Sequence, residues 1–123
     1  MITLTLPWPP SINHYWRKNG DRFYISEEGV RFRTDAAAAL YQQLRLPWPK
    51  LADERLAVTI ALSSNSKRKY DIDNRPKALL DALQKAGLIY NDEQIDSLTV
   101  TRDPPGGSYA KVTIAPISAR LAA

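Results

Sequence analysis

Asp71 and Asp73 stand two residues apart in the run Lys67-Arg68-Lys69-Tyr70-Asp71-Ile72-Asp73-Asn74-Arg75-Pro76-Lys77. In extended backbone that spacing turns both carboxylates to one face, with Ile72 opposite. Two carboxylates about 4 Å apart repel by roughly 4 kcal/mol at an effective dielectric near 20. Solvent, a neighbouring base, a shared proton or a divalent cation must offset that repulsion. Read another way, Asp73 caps a helix, Asp being a preferred N-cap residue, and Asp71 is solvated or pairs with Lys69. Lys77 follows Asp73 by four residues, in the first turns of the same helix, where the macrodipole disfavours a cation. It can pair with Asp81 at i, i+4 for about 0.2–0.5 kcal/mol. It can also hold a phosphate oxygen and stabilise charge as a P–O bond breaks. Asp92, in Asn91-Asp92-Glu93, is either part of a polar turn or a third carboxylate returned to the first two.

Composition narrows the chemistry. The chain has no cysteine and one histidine, His14, which excludes disulfides, zinc ribbons, a thiol nucleophile and a His-Asn-His site. Any metal is then held mainly by carboxylates, and such oxygen donors favour Mg²⁺, Ca²⁺ or Mn²⁺ over zinc or copper. No glycine-rich phosphate loop is present, which argues against a nucleotide cofactor. No Asp/Glu/Gln-x-Lys triplet occurs either, so the restriction-type placement of a lysine fails.

The net charge of +4 is unevenly spread: residues 1–69 carry +5, residues 70–100 carry −3 and residues 101–123 carry +2. A basic surface that attracts a polyanion would therefore meet an acidic island, unless a cation neutralises it. The stretch Pro7-Trp8-Pro9-Pro10-Ser11-Ile12-Asn13-His14-Tyr15-Trp16-Arg17-Lys18 mixes prolines, aromatics and bases. Such a mixture suits stacking and phosphate contact with nucleic acid, or a rigid loop packed on the sheet or on a second subunit. No run of 18 or more apolar residues suggests a membrane span, and the opening Met1-Ile2-Thr3-Leu4-Thr5-Leu6 lacks the positive region of a secretory signal, so the cytoplasm is expected.

The elements that must position these residues follow from periodicity. At 123 residues the chain is one domain in size. Period-two alternation marks strands at Ile2/Leu4/Leu6, at Leu56/Val58/Ile60/Leu62 within Arg55–Ser63, at Leu98/Val100 and at Ala110/Val112/Ile114. A helix is predicted over Glu27–Arg45, N-capped by Ser26, with an apolar stripe of Val30, Ala37, Leu40, Tyr41 and Leu44. A second runs over Asn74–Ala86, capped by Asp73 and stopped by Gly87, with Leu79, Leu80, Leu83 and Ala86 inward. Between the first strand and the first helix lies a long loop, and Pro104-Pro105-Gly106-Gly107 is read as the turn of a closing hairpin. The expected fold is α+β and two-layered: one mixed sheet of about four strands, with two helices on one face and a Thr/Ser-rich face opposite. Residues 1–116 are expected to form this domain, with 117–123 a frayed tail. Leu-Pro-Trp-Pro occurs at 6–9 and 46–49, an echo too short to be a repeat.

Several of these features coincide in order and spacing. Leu6-Pro7-Trp8-Pro9-Pro10-Ser11 with Asn13, Asp71-Ile72-Asp73-Asn74 with Lys77, Asp81-Ala82-Leu83 to Gly87, and Asn91-Asp92 with Gln94 together resemble the RusA family of Holliday-junction resolvases. The likeness spans about residues 3–114. It implies a small homodimeric endonuclease, often prophage-encoded, that cuts four-way DNA junctions symmetrically with Mg²⁺ or Mn²⁺. By the same resemblance Asp71, Asp73 and Asp92 match the catalytic acidic triad and its metal ligands, and Lys77 matches the essential lysine. The family often has two adjacent acids in the last motif, where this chain has Asn91 before Asp92. Lys67, Arg68, Lys69 and Arg75, with Arg17 and Lys18, are expected to contact backbone phosphates, and Asn13, Tyr15 and Asn74 to contact or position DNA. Two other readings stand beside this one: a non-catalytic, structure-selective DNA-binding protein, and a metal-dependent nuclease acting on flaps or single strands.

Overall fold

The computed structural model describes residues 1–45, 48, 51 and 54–117. Strand β1 (Ile2–Pro7) leads into a one-turn helix α1 (Ile12–Tyr15) and a small antiparallel hairpin, β2 (Trp16–Asn19) and β3 (Arg22–Ile25). Helix α2 (Glu27–Gln43) and strand β4 (Leu56–Ser63) follow, then a 3₁₀ turn over Ile72–Asn74 and helix α3 (Pro76–Lys85). A second 3₁₀ turn at Asp92–Gln94 precedes strands β5 (Ile95–Arg102) and β6 (Tyr109–Pro116).

The main sheet has the order β1-β6-β4-β5. All neighbours are antiparallel except β4 and β5, which run parallel and so require a crossover between them. That crossover carries both 3₁₀ turns and α3. The mixed sheet with helices on its apolar face is the expected two-layer α+β arrangement. Leu4, Leu6, Leu56, Val58, Ile60, Leu62, Ala110, Val112 and Ile114 are buried as the alternation predicts, and pack with Phe32, Ala36 and Leu40 of α2 and Leu79 and Leu83 of α3. Each of the larger side chains among these contributes about 1.5–3 kcal/mol through removal from water. On the other face Thr3, Thr59, Thr99, Thr101 and Lys111 are exposed. Leu98 lies level with Val58 on the edge strand β5 and stays 47% exposed, because no further strand flanks it.

Four local expectations are corrected. The segment 16–25 is not all loop: Gly20-Asp21 turns β2 onto β3, with Gly20 at φ +64°. Nor do β5 and β6 form a hairpin, since β4 lies between them. The loop 103–108 instead passes over the end of β4. There the Asp103 amide donates to Leu62 O (2.8 Å), the Gly106 amide to Ser64 O (2.6 Å) and the Gly107 amide to Ser63 Oγ (3.0 Å).

In α2, Ser26 does cap the helix, accepting from the Gly29 amide at 2.9 Å, but the buried face is Gly29, Phe32, Ala36 and Leu40. Val30 and Tyr41 are 49% and 60% exposed. The helix is rotated because Gly29 sits directly against the hairpin: a Cβ there would lie 2.7 Å from both Tyr15 O and the Ile25 side chain. Finally, α3 starts at Pro76 rather than Asn74, since proline fits the first helical position and biases the residue before it away from continuing a helix. Its end follows expectation: Gly87 at φ +88° donates to Gln84 O (3.0 Å) and Leu88 to Leu83 O (3.1 Å), a Schellman close. The Ile117 amide bonds to Arg55 O at 2.8 Å, while the rest of the expected tail, and all of the second Leu-Pro-Trp-Pro but its tryptophan, lie outside the described residues.

Candidate functional site

The sequence from the end of β4 to the start of α3 lines an open cleft of about 750 Å³. Lys67, Arg68, Lys69, Asp71, Asn74 and Arg75 all reach it, joined by Ser11, Ser64, Ser66, Tyr70, Arg102 and Asp103. The expected basic run and one of the expected carboxylates therefore share a surface. Asp71 precedes the 3₁₀ turn in extended backbone (φ −90°, ψ 131°), while Asp73 lies inside it. The strand-like alternation that would set positions two apart on one face thus stops at Asp71. The expectation of extended backbone running through both Asp71 and Asp73 is therefore corrected, and so is Asp73 as the cap of α3. Both side chains are exposed, and neither carboxylate has a hydrogen bond or ion pair among the described residues.

Lys77, in the first turn of α3, does not bond Asp81. Its ammonium meets Asp92 Oδ2 at 2.5 Å, so these two sequence-distant candidates are brought together. Asp92 is placed by the turn that contains it. Asn91 accepts from the Glu93 amide at 2.9 Å and completes a reciprocal capping box with Gln94. Asn is as good a cap as Asp, so Asn91 does structural work in this turn. Gln94 is buried and anchors the turn by donating to the Leu51 and Glu54 carbonyls while accepting from the Tyr90 and Asn91 amides. The Asp92 amide reaches Gln84 Oε1 of α3 at 3.4 Å.

Asp81 is withheld from Lys77 because it is already engaged. Tyr15 Oη donates to Asp81 Oδ2, Arg33 Nη2 donates to the same oxygen at 2.7 Å, and Arg33 Nε donates to Tyr15 Oη at 2.7 Å. Burial, with help from the Asp81 hydrogen bond, pushes the Tyr15 hydroxyl well above its ordinary pKa. Burial alone would lower Arg33, but its bonds to Asp81 and Tyr15 prevail and raise it. Tyr15 is completely buried. Its expected role as a DNA contact is corrected: it is a pin joining α1, α2 and α3.

Arg75 is likewise more committed than a free phosphate contact. Its Nη1 donates to Pro9 O at 2.6 Å, and the guanidinium lies 4.9 Å from the Trp8 ring centre and 5.8 Å from that of Tyr70. Burial lowers its pKa. Arg102, which no sequence signal singled out, stacks 4.8 Å from the other partner in this group, Tyr70, and donates to its carbonyl at 2.9 Å. Trp8 meets Tyr70 edge-on at 5.1 Å. The chain immediately before Asp71 is thus fixed by aromatic and cationic stacking. Asn13, Arg17 and Lys18 do not reach this cleft. They line a second groove with Ile12, Trp16 and Phe23.

The oxygen donors Asp71, Asp73 and Asp92 suit a hard divalent cation in kind, and the buried Oδ1 of Asn74, which lines the cleft with Asp71, has no hydrogen-bond partner among the described residues. Among the described residues no three acidic or histidine side chains are gathered closely enough to enclose an ion, and Lys77 holds Asp92. No helix among the described residues is long and apolar enough to cross a membrane.

Comparison with known proteins places the chain in a family. The family model described as endodeoxyribonuclease RusA matches residues 7–115. The chain belongs to the RusA family. It is 39% identical over 104 residues to a crossover junction endodeoxyribonuclease of Enterobacteria phage HK97, covering 83% of this chain and 84% of that protein. It is 35% identical over 106 residues to that of Escherichia coli strain K12, covering 83% and 82%, and 36% identical over 105 residues to that of Enterobacteria phage 82, covering 82% of each. Membership in RusA bears out the resemblance carried by Asp71-Ile72-Asp73-Asn74 and its companion motifs.

Proposed function

We propose that this RusA-family chain is a structure-selective endonuclease that resolves four-way DNA junctions by symmetric, metal-dependent phosphodiester hydrolysis as a homodimer. The observation that supports it best is the pairing of Lys77, at the start of α3, with Asp92, just before β5, on the same crossover whose earlier part lines a basic cleft with Asp71. Asp71, Asp73 and Asp92 are the residues to hold Mg²⁺ or Mn²⁺. Such an ion, when bound, supplies charge neutralisation at the phosphate and an activated water. Lys77 neutralises Asp92 in the free protein and is the chain's own donor to the charge that develops on oxygen as the P–O bond breaks. Lys67, Arg68 and Lys69 attract the phosphate backbone in a salt-sensitive way, and Asn74 shares the cleft with Asp71 as a positioning amide. Arg75, with Arg102, acts through Tyr70 by holding the approach to Asp71.

The dimer follows from the task. Resolution requires two strands of like polarity to be cut, and a two-fold dimer presents two equivalent sites to a junction of approximate two-fold symmetry.

The test is an incubation of end-labelled four-way junction with the wild type and with Asp73→Asn, in Mg²⁺, Mn²⁺ or EDTA, read on denaturing and native gels. Paired symmetric cuts by the wild type in metal, with binding but no cutting by the variant, are expected. Binding without cleavage by the wild type in either metal would move the assignment to a non-catalytic junction binder. Unpaired cuts on flaps or single strands would move it to a different nuclease class.

A further inference from the structure

The second groove offers chemistry that the proposed cleavage site does not use. In the β2–β3 hairpin the register sets Lys18 opposite Phe23 and Arg17 opposite Tyr24. Side chains alternate faces along each strand, so Trp16, Lys18, Phe23 and Ile25 share one face. Near the root Trp16 and Ile25 pack against the core. Two residues further out the core has ended, and Phe23 continues the same face at 70% exposure. Tyr24, on the other face, is 51% exposed. Two aromatic rings on a four-residue strand are thus left largely in water, each opposite a cation, with Lys18 Nζ 5.6 Å from the Phe23 ring centre. The groove beside Phe23 measures about 640 Å³. Asn13, at its edge, has a side-chain amide with no hydrogen-bond partner among the described residues.

An exposed π-face beside cations and a free amide matches a nucleobase with its phosphate: stacking for the ring, charge for the phosphate, an amide for the base edge. A base within a duplex cannot present its face, whereas one unstacked at a branch point can. Association with a second hairpin is disfavoured by charge, because Arg17, Lys18 and Arg22 outnumber Asp21 and a two-fold contact would set like charges together. The groove also lies next to the cleft along the chain, since Ser11 lines the cleft while Ile12 and Asn13 line the groove.

We infer that the β2–β3 groove binds an unstacked nucleobase at the branch point of the DNA, with Phe23 as the stacking platform, Arg17 and Lys18 holding the adjoining phosphate, and Tyr24 supporting the same strand. The inference rests on the reading of branched DNA as substrate.

Its test is carried out in EDTA, where binding is separated from cutting. A four-way junction carrying 5-iodouracil at the branch point is irradiated with the full-length protein, and the cross-linked residue is identified by mass spectrometry. A second junction carries the base deep in one arm. Affinities of wild type, Phe23→Ala and Phe23→Trp are measured for the junction, for linear duplex and for an unpaired oligothymidylate.

The expected result is a cross-link to Phe23 or Tyr24 from the branch point only. Phe23→Ala should lose about tenfold in affinity for junction and single strand with less than twofold change on duplex, and Phe23→Trp should restore it. Equal affinities for wild type and Phe23→Ala, or equal losses on duplex and junction, would overturn the inference while leaving the cleavage assignment intact. A fall in oligomeric mass on Phe23→Ala would overturn it in favour of self-association. A wild type that binds junction no better than duplex would remove the branched substrate and the inference with it.

Discussion

Replacing Asp81 by alanine removes the one acceptor shared by Tyr15 and Arg33. The pair is substantially desolvated, with Arg33 and Asp81 side chains 24% and 18% exposed. A buried donor left unmade costs about 1–3 kcal/mol, and breaking a fully buried ion pair from one side costs about 3–5 kcal/mol. Arg33 retains enough access to water to recover part of that, so the loss should be about 2–3 kcal/mol. For a domain of this length each kcal/mol moves the melting temperature by about 3–5 °C, giving a fall of about 6–15 °C. Urea unfolding followed by circular dichroism measures it, with Arg33→Met and the double variant completing a thermodynamic cycle. A change below about 0.5 kcal/mol would show that the contact behaves as an ordinary surface pair, and the account of Tyr15 as a structural pin would fall. The cycle has a second arm in cleavage. Arg33→Met weakens the hold on Asp81, which lies one helical turn from Lys77 and then competes with Asp92 for its ammonium. Junction cleavage should therefore suffer more from Arg33→Met than from Asp81→Ala at equal loss of stability, and the reverse order would refute the competition.

Three further outcomes are expected. Ser26→Ala deletes the acceptor for the Gly29 amide and the donor to the His14 and Tyr15 carbonyls and should cost about 1–2 kcal/mol in urea unfolding, and Ser26→Asp, which keeps the cap but sets a carboxylate against those two carbonyls at a buried position, should not restore it. Gly29→Ala forces a Cβ to within 2.7 Å of a backbone carbonyl and should cost about 1–3 kcal/mol, reported by thermal melting. Because Tyr15 ionises at higher pH in the folded protein than in the unfolded chain, its contribution to stability is complete below about 10, the ordinary tyrosine pKa, and is lost as pH rises from there toward the folded value. Tyr15→Phe should flatten that alkaline decline, as seen by unfolding between pH 9 and 11.

Much of the fold is legible where one physical force dominates. The alternation in β1, β4 and β6 reports a half-buried sheet, and it reads correctly because nothing competes with burial there. Helix α2 shows the limit: Val30 and Tyr41 are as apolar as Phe32, and only the close approach of Gly29 to Tyr15 O decides which stripe turns inward. The hairpin announces itself through Gly20-Asp21, yet the prolines and aromatics before it point toward loop. At the candidate site the residue types are readable but their conformation is not. Whether Asp71 and Asp73 share a face depends on whether three residues form a strand or a 3₁₀ turn, and the local sequence is compatible with both. Asp81 offers a similar lesson, since its spacing from Lys77 is ideal for a helical pair and its actual partners come from α1 and α2.

The parallel pairing of β4 with β5 has a consequence for when the molecule becomes active. Asp71, Asp73, Lys77 and Asp92 all fall on the strip of chain that crosses from the end of β4 to the start of β5, and the path of that strip is fixed only when β4 and β5 register. Parallel pairing closes a long loop and is intrinsically slow. A nascent or partly folded chain would thus carry every proposed catalytic residue and yet be harmless to DNA, with cutting competence arriving only as the sheet is completed.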